Sequence, residues 1–481
     1  MIRNRWYPTN TTLRDGSVLT TSGETEPQLN ASSRYPELWQ NGNWTPPLTG
    51  APRDLPLYPW MFQAPNGQVF YAGAGNDLAY LNPSGSGAWT PALPLPPVQT
   101  RAFSYRTYGT AAMFWPGRIL VAGGSNDQTV TNTAEILDLT SGTDGLDTNS
   151  GLLRPVVTRA PNMRNRRWHA NSTILPDGTV LVTGGSRVNG ASDRNQAVLD
   201  AEVWTPTPDP NGPAGPGTWT TVAPMKEARM YHSTAVLLPD GRVLSAGGEE
   251  DIKYTPFTPN LNNHCTAEIY SPPYLFKGAR PVITVAPSYV GYRQPFRVQA
   301  TPGTGTLARV TLVRLSSVTH SFNMNQRFLE LSLSSSTVGS VTVTAPDDGN
   351  VCPPGHYLLF VLNSQGVPSE AKIISIGSSA CGATVNLSTT VTTSGCLGSA
   401  QATVSGANAN ADYRWYIDGV YQSTYDNQTT VTIRLDNCRP QVTFAVEATP
   451  SCGGSPIYTF QSASGGPFTA NGSVCQCGVR E

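Results

Sequence analysis

LLPDGRVLSAGG, residues 237–248, reads as two short apolar runs joined by a tight turn. Leu237-Leu238 lead into Pro239-Asp240-Gly241, and Val243-Leu244 lead out to the pair Gly247-Gly248. The Asp-Gly step supplies the positive φ that a tight hairpin needs. The pattern recurs four times upstream, as RDGSVLTTS at 14–22, PNGQVFYAG at 65–73, PGRILVAGG at 116–124 and PDGTVLVTG at 176–184. The turn glycines Gly16, Gly67, Gly117, Gly178 and Gly241 are spaced by 51, 50, 61 and 63 residues. An outer-strand signal comes later in most units: AEILDL at 134–139, AEVWTP at 201–206 and AEIYSP at 267–272. Four strands per unit, repeated about every 50 residues, is the signature of a kelch-type β-propeller. A blade buries its faces only against its neighbours, so a closed ring is needed. Five units are countable and the first begins abruptly at residue 6, which reads as an incomplete ring.

After Tyr274 the pattern changes. VITVAP, FRVQA, RVTLVRL, LELSLS, SVTVTAP, YLLFVLN and KIISI follow as short alternating strands, the pattern of an Ig-like β-sandwich. The last stretch is a second sandwich-like module, richer in Ser, Thr, Asn and Cys. The expected organisation is all-β: a propeller over 1–276, a sandwich over 277–377 and a Cys-containing module over 378–481.

Composition agrees and excludes other classes. Gly (46) and Pro (41) are abundant among 481 residues, and only 13 % are charged, about half the usual ~25 %. A hydrophobic share of 38 % is too high for a charged disordered chain. A net charge of −1 leaves nothing to hold phosphates, so no nucleic-acid partner is expected. No run of about 18 apolar residues is present to span a membrane as a helix. Six of the eight cysteines (Cys381, Cys396, Cys438, Cys452, Cys475, Cys477) crowd the tail, which predicts disulfides and a secreted protein. Met1-Ile-Arg-Asn-Arg-Trp-Tyr lacks the apolar core of a signal peptide, so the true N-terminus is expected to lie upstream.

Chemistry must be sought among few groups. The histidines are His169, His232, His264, His320 and His356. Tyr231 and His232 stand side by side at the start of a blade's innermost strand, where propeller sites face the central channel. Neighbours on a strand point to opposite faces, so both can serve one site only at the strand's mouth, where the backbone can turn. His320 lies in a hairpin-like stretch, LSSVTHSFNMNQR at 315–327, and Tyr7 opens the first unit in RWYPTNTTLRDG at 5–16. Two His and two Tyr make an N₂O₂ set suited to Cu(II) in a tetragonal site. Taken singly, each of these residues equally fits packing or a surface role.

The ordered motifs RMYHSTAVLLPDGRV (229–243), SPPYL (271–275), THSFNMNQR (319–327) and CPPGHYLLFVLNSQGVPSEA (352–371) together resemble the galactose oxidase and glyoxal oxidase family of copper radical oxidases. LPLYPWMFQAPNGQVF (55–70) and RTYGTAAMFWPGRILVAGGS (106–125) are similar to its glyoxal oxidase side. The resemblance covers residues 1–377. It implies a copper ion held by Tyr7 as equatorial tyrosine, Tyr231 as axial tyrosine, and His232 and His320. It also implies a tyrosyl radical, with Tyr7 and Tyr231 catalytic, and oxidation of a primary alcohol, aldehyde or carbohydrate by O₂ to give H₂O₂. Arg106 is the candidate cation for orienting a polar substrate, and a monomer is expected. The family joins its equatorial tyrosine by a thioether to a cysteine some tens of residues upstream, and its ring has seven blades. Here the first cysteine is Cys265 and five blades are countable. The resemblance therefore implies an N-terminally truncated chain of doubtful activity. The alternative is a non-catalytic extracellular propeller that binds glycan or protein.

Overall fold

The computed structural model describes residues 1–25, 28–90, 101–140, 154–189, 193–207, 215–249, 265–337, 339–377, 386–394, 397–405, 412–418, 420–436, 438–449, 457–466, 469–470 and 473–474. The turn glycines Gly16, Gly67, Gly117, Gly178 and Gly241 all have φ between 73° and 90°, the region that favours glycine. Each closes a hairpin. The inner pairs are Thr9–Thr12 with Val18–Thr21, Met61–Gln63 with Val69–Tyr71, Thr110–Trp115 with Arg118–Ala122, Asn171–Ile174 with Val180–Thr183, and Ser233–Leu237 with Val243–Gly247. The first four pairs extend outward to four-stranded antiparallel sheets, and the fifth to three strands among the described residues. These are the five expected blades.

The outer-strand Glu recurs for a structural reason. Glu37, Glu135, Glu202 and Glu268 lie on the third strands of their blades, and each meets an arginine from the segment that enters its own blade. The pairs are Arg5–Glu37 at 2.9 Å, Arg101–Glu135 at 2.6 Å, Arg167–Glu202 at 2.7 Å and Arg229–Glu268 at 3.5 Å. The first three of these carboxylates are fully buried, and a buried carboxylate persists only when paired. Each pair ties the mouth of the inner strand to the body of its blade.

The sandwich comprises two sheets. One holds Val282–Val285, Pro295–Thr301, Ser340–Thr344 and Leu333–Thr337. The other holds Tyr289–Val290, Lys372–Ile376, Gly355–Asn363, Leu307–Arg314 and Phe328–Glu330. Val298, Leu312, Val341 and Leu359 meet between them. The sandwich abuts the turn side of the propeller: Thr311 Oγ1 donates to Pro176 O at 2.7 Å and Ala371 N to Pro239 O at 2.8 Å.

Residues 315–328 form a finger that runs from that side into the channel. Phe328 lies against the turn at Gly178, where a Cβ would meet its ring at 3.0 Å. Buried Gln326 takes the N–H of Ile174 at 2.8 Å and donates to Ser172 O at 2.7 Å. Phe322 joins the aromatic cluster of Tyr58, Trp60 and Phe62, and His320 arrives at the mouth.

The last module packs two further sheets around Trp415, Phe444 and Val446. Trp415 is fully buried, whereas Tyr421 is exposed. Cys438 is disulfide-bonded. The other expected staples fall on Cys381, Cys396, Cys452, Cys475 and Cys477, outside the described residues. Cys265 and Cys352 are free thiols, exposed and buried respectively. Among the described residues no helix is long and apolar enough to cross a membrane.

Candidate metal centre at the channel mouth

One backbone device builds the site. Tyr7, Tyr58, Tyr108, His169 and His232 have φ of 63°, 48°, 46°, 61° and 60°. Each stands nine residues before its blade's turn glycine, at the entry to the innermost strand. Left-handed backbone is uncommon for bulky side chains and costs of order 1 kcal/mol or more. Five repeats of it turn five rings into the channel. The same kink lets Tyr231 and His232 face one site: their ring centroids are 3.8 Å apart. By this register Tyr7 corresponds to His232, and Tyr231 to Trp6 one position earlier. The ring spacing Trp6–Tyr7 is 3.7 Å, close to that of Tyr231–His232.

His320 is presented by similar means. Thr319 and Phe322 exchange backbone hydrogen bonds of 3.0 and 2.8 Å. The two residues between them, His320 and Ser321, have φ of 51° and 73°. This is a two-residue hairpin turn of the type that Asn-Gly favours, adopted here by His-Ser at the tip of the finger.

The four residues expected to act together meet. The Tyr7 and Tyr231 hydroxyls are hydrogen-bonded at 2.8 Å. Nε2 of His232 and Nε2 of His320 are also 2.8 Å apart. The His320 ring lies 4.4 Å from that of Tyr7 and 5.4 Å from that of Tyr231. Behind these contacts, His320 Nδ1 meets Tyr58 Oη at 2.9 Å and Thr319 Oγ1 at 2.7 Å. Nδ1 of His232 meets a carboxylate oxygen of Glu249.

The surroundings disfavour charge. Burial raises the Tyr231 phenol well above its ordinary pKa, and the hydrogen bond with Tyr7 adds to this. Burial, ahead of smaller effects of neighbouring groups, takes Tyr58 and Tyr108 up to about 12. Burial, then the neighbouring His232, brings His320 down to about 4. His169 is buried between Tyr108 and Tyr231, with ring centroids at 4.2 and 4.7 Å. Burial, then His320 and His232, holds it well below the usual imidazole value.

The donor set suits a tetragonal cation. Two ligands cis to each other at a metal–ligand bond of about 2.0 Å are separated by about 2.8 Å, the spacing of both the O···O and the N···N pair. Imidazole and phenol donors are appropriate for Cu(II).

The Arg106 side chain is fully buried. Its guanidinium donates to Gly123 O at 2.8 Å, Thr133 O at 3.2 Å and Thr133 Oγ1 at 2.9 Å, and lies 3.4 Å from Glu135. It belongs to the blade-closing arginines. It is also among the residues that line an apolar cavity of about 200 Å³, with Leu57, Pro59, Tyr105, Tyr108 and Phe322. His356 is exposed on a sandwich strand, Cys352 is core, and His264 lies outside the described residues.

Sequence reading missed Tyr58, Tyr108 and Glu249. The first two carried a signal, the nine-residue interval to the turn glycine shared with Tyr7. Glu249 carried none by itself, because its role depends on which strand end lies opposite.

Comparison with known proteins agrees with this architecture. Residues 280–376 match the galactose oxidase-like early set domain. A galactose oxidase of Gibberella zeae is 30% identical over 396 residues, covering 77% of this chain and 54% of that protein. An aldehyde oxidase of Vitis pseudoreticulata is 29% identical over 400 residues, covering 77% and 72%. The chain spans about half the length of the curated galactose oxidases it matches. Among solved structures, a fungal alcohol oxidase of the AA5 family, in complex with copper, superposes with a TM-score of 0.64 at 26% identity, covering 78% of this chain and 76% of that one. Over about three quarters of its length the chain is thus similar to galactose oxidases and aldehyde oxidases, and it shares the fold of a copper-bound alcohol oxidase.

Proposed function

We propose that this protein is a secreted copper radical oxidase that converts a primary alcohol or aldehyde to the next oxidation level while O₂ becomes H₂O₂. The observation that supports it most is the meeting of two phenols and two imidazoles at matched 2.8 Å separations. The substrate gives up two electrons and two protons, and O₂ takes up both. Bound Cu(II) supplies one oxidising equivalent and a tyrosyl radical the other. We assign the radical to Tyr7, whose ring is stacked on Trp6 and Tyr58. Tyr231, whose hydroxyl lies 2.8 Å from that of Tyr7, is the proton acceptor. His232 and His320 hold the metal. Phe322 and Tyr108 shield the phenols from water, and the apolar cavity beside them takes the carbon skeleton of the substrate.

The second reading is a non-catalytic propeller binding glycan or protein. Copper titration with a peroxide assay separates the two. We expect Tyr231→Phe and His320→Ala each to weaken copper binding at least tenfold, and residues 1–481 alone to turn over slowly. Unchanged copper affinity in both variants would refute the ligand assignment, and copper binding with no peroxide from any alcohol or aldehyde would favour the second reading.

A further inference from the structure

The two imidazoles are held differently. His320 Nδ1 faces only hydroxyls, Tyr58 Oη at 2.9 Å and Thr319 Oγ1 at 2.7 Å. A hydroxyl donates or accepts, so these partners suit either tautomer of His320. His232 Nδ1 faces a carboxylate oxygen of Glu249. A carboxylate only accepts, so Nδ1 of His232 must carry the proton and Nε2 must carry the lone pair.

Glu249 is fixed for this task by the blade. The register that pairs Ser233 with Gly247 continues past the strand end and puts Glu249 opposite Tyr231, whose carbonyl takes the Glu249 N–H at 2.9 Å. Gly247 and Gly248, with φ of 68° and 112°, turn the chain there. One residue is thereby bonded to the backbone of Tyr231 and to the ring of His232.

We propose that Glu249 is a positioning residue of the metal centre: it locks His232 in the Nδ1–H tautomer and presents Nε2, lone pair outward, to the ion. The proposal rests on the copper reading above only for the identity of that ion. Without metal, the network runs in one direction. Tyr58 or Thr319 donates to His320 Nδ1, His320 Nε2–H donates to His232 Nε2 across 2.8 Å, and His232 Nδ1–H donates to Glu249. Metal uptake then requires a change of tautomer at His320 alone. Carboxylate partners of this kind orient a ligating imidazole and raise its donor strength, and their loss typically costs about 10–100-fold in metal affinity.

The test uses the full chain as wild type, Glu249→Ala and Glu249→Gln. Proton–nitrogen NMR of the histidine rings in metal-free protein reads the tautomer, and copper titration followed by electron paramagnetic resonance reads the site. We expect His232 to be Nδ1–H in the wild type and mixed in Glu249→Ala. Copper affinity should fall about 10–100-fold in Glu249→Ala, with altered nitrogen hyperfine structure. Glu249→Gln, whose amide oxygen still accepts, should restore the tautomer and most of the affinity. It also serves if the alanine variant fails to fold. An unchanged His232 tautomer in Glu249→Ala, or a glutamine variant as impaired as the alanine one, overturns the proposal. A wild type that shows the locked tautomer but takes up no copper supports the proposal and refutes the copper reading instead.

Discussion

Replacing Arg106 by Ala separates a substrate-binding arginine from a structural one. In this structure the guanidinium is fully buried and supplies donors to Gly123 O, Thr133 O and Thr133 Oγ1. Truncation takes the Arg106 donor from Gly123 O, at about 1–3 kcal/mol for a group left unsatisfied, whereas Thr133 O keeps the N–H of Gly123 at 3.1 Å and Thr133 Oγ1 keeps the Thr131 hydroxyl at 2.9 Å. Glu135 is not stranded, because Arg101 holds it at 2.6 Å and Ala102 N donates to it at 2.7 Å. The expected loss is therefore about 1–3 kcal/mol. Arg167→Ala is the internal reference. There Glu202 loses the arginine that contacts it at 2.7 Å, and breaking such a buried pair costs about 3–5 kcal/mol. Urea unfolding of the propeller, followed by tryptophan fluorescence, should show both variants destabilised, Arg167→Ala at least as much as Arg106→Ala. If Arg106→Ala unfolds within about 0.5 kcal/mol of the wild type, the ordinary range for surface changes, and instead raises KM for a polar substrate, the structural account of this arginine is wrong.

Two further predictions concern the finger and the channel. Gln326→Ala removes both polar contacts that pin the finger to the innermost strand of the fourth blade. It should cost about 2–5 kcal/mol, since Ile174 N–H and Ser172 C=O are left buried without them, and should weaken copper binding through His320; unaltered stability by thermal unfolding would count against this. Folding lowers the pKa of both His169 and His320, so below the ordinary imidazole value of about 6.5 the unfolded chain binds more protons than the folded one. Stability of the metal-free protein is therefore fully present above that pH and declines as pH falls below it, down to about 4 for His320 and further for His169. His169→Phe, which keeps the ring between Tyr108 and Tyr231, should flatten the decline; equal acid sensitivity in variant and wild type would refute the role of His169.

The propeller was readable because its determinants are local. A turn glycine with positive φ and the runs on either side of it lie within a dozen residues, so each blade wrote its own signature. Seven runs of the sandwich were legible for the same reason, but LELSLS divides between Phe328–Glu330 in one sheet and Leu333–Thr337 in the other, and the two-residue strand Tyr289–Val290 carried no signal. Of the site, Tyr7, Tyr231, His232 and His320 were found through ordered motifs, and Tyr58 and Tyr108 could have been found from the interval they share with Tyr7. The setting of Arg106 was not legible, because a basic residue near a strand mouth looks alike in sequence whether or not it is buried against its own blade. Only the third strand, bringing Glu135 close to it, shows which.

What the sequence determined by itself is therefore the repeat, the turn chemistry and the candidate set of Tyr7, Tyr231, His232 and His320. Tertiary structure alone decided that left-handed backbone at five blade entries aims five rings at one channel, that a finger from the sandwich carries His320 through the propeller, and that Glu249 stands behind His232. The reason is physical. Hairpin turns depend on neighbours in the chain, whereas the site at the channel mouth depends on side chains up to 313 residues apart, Tyr7 to His320, and on which polar group each of them finds as its partner.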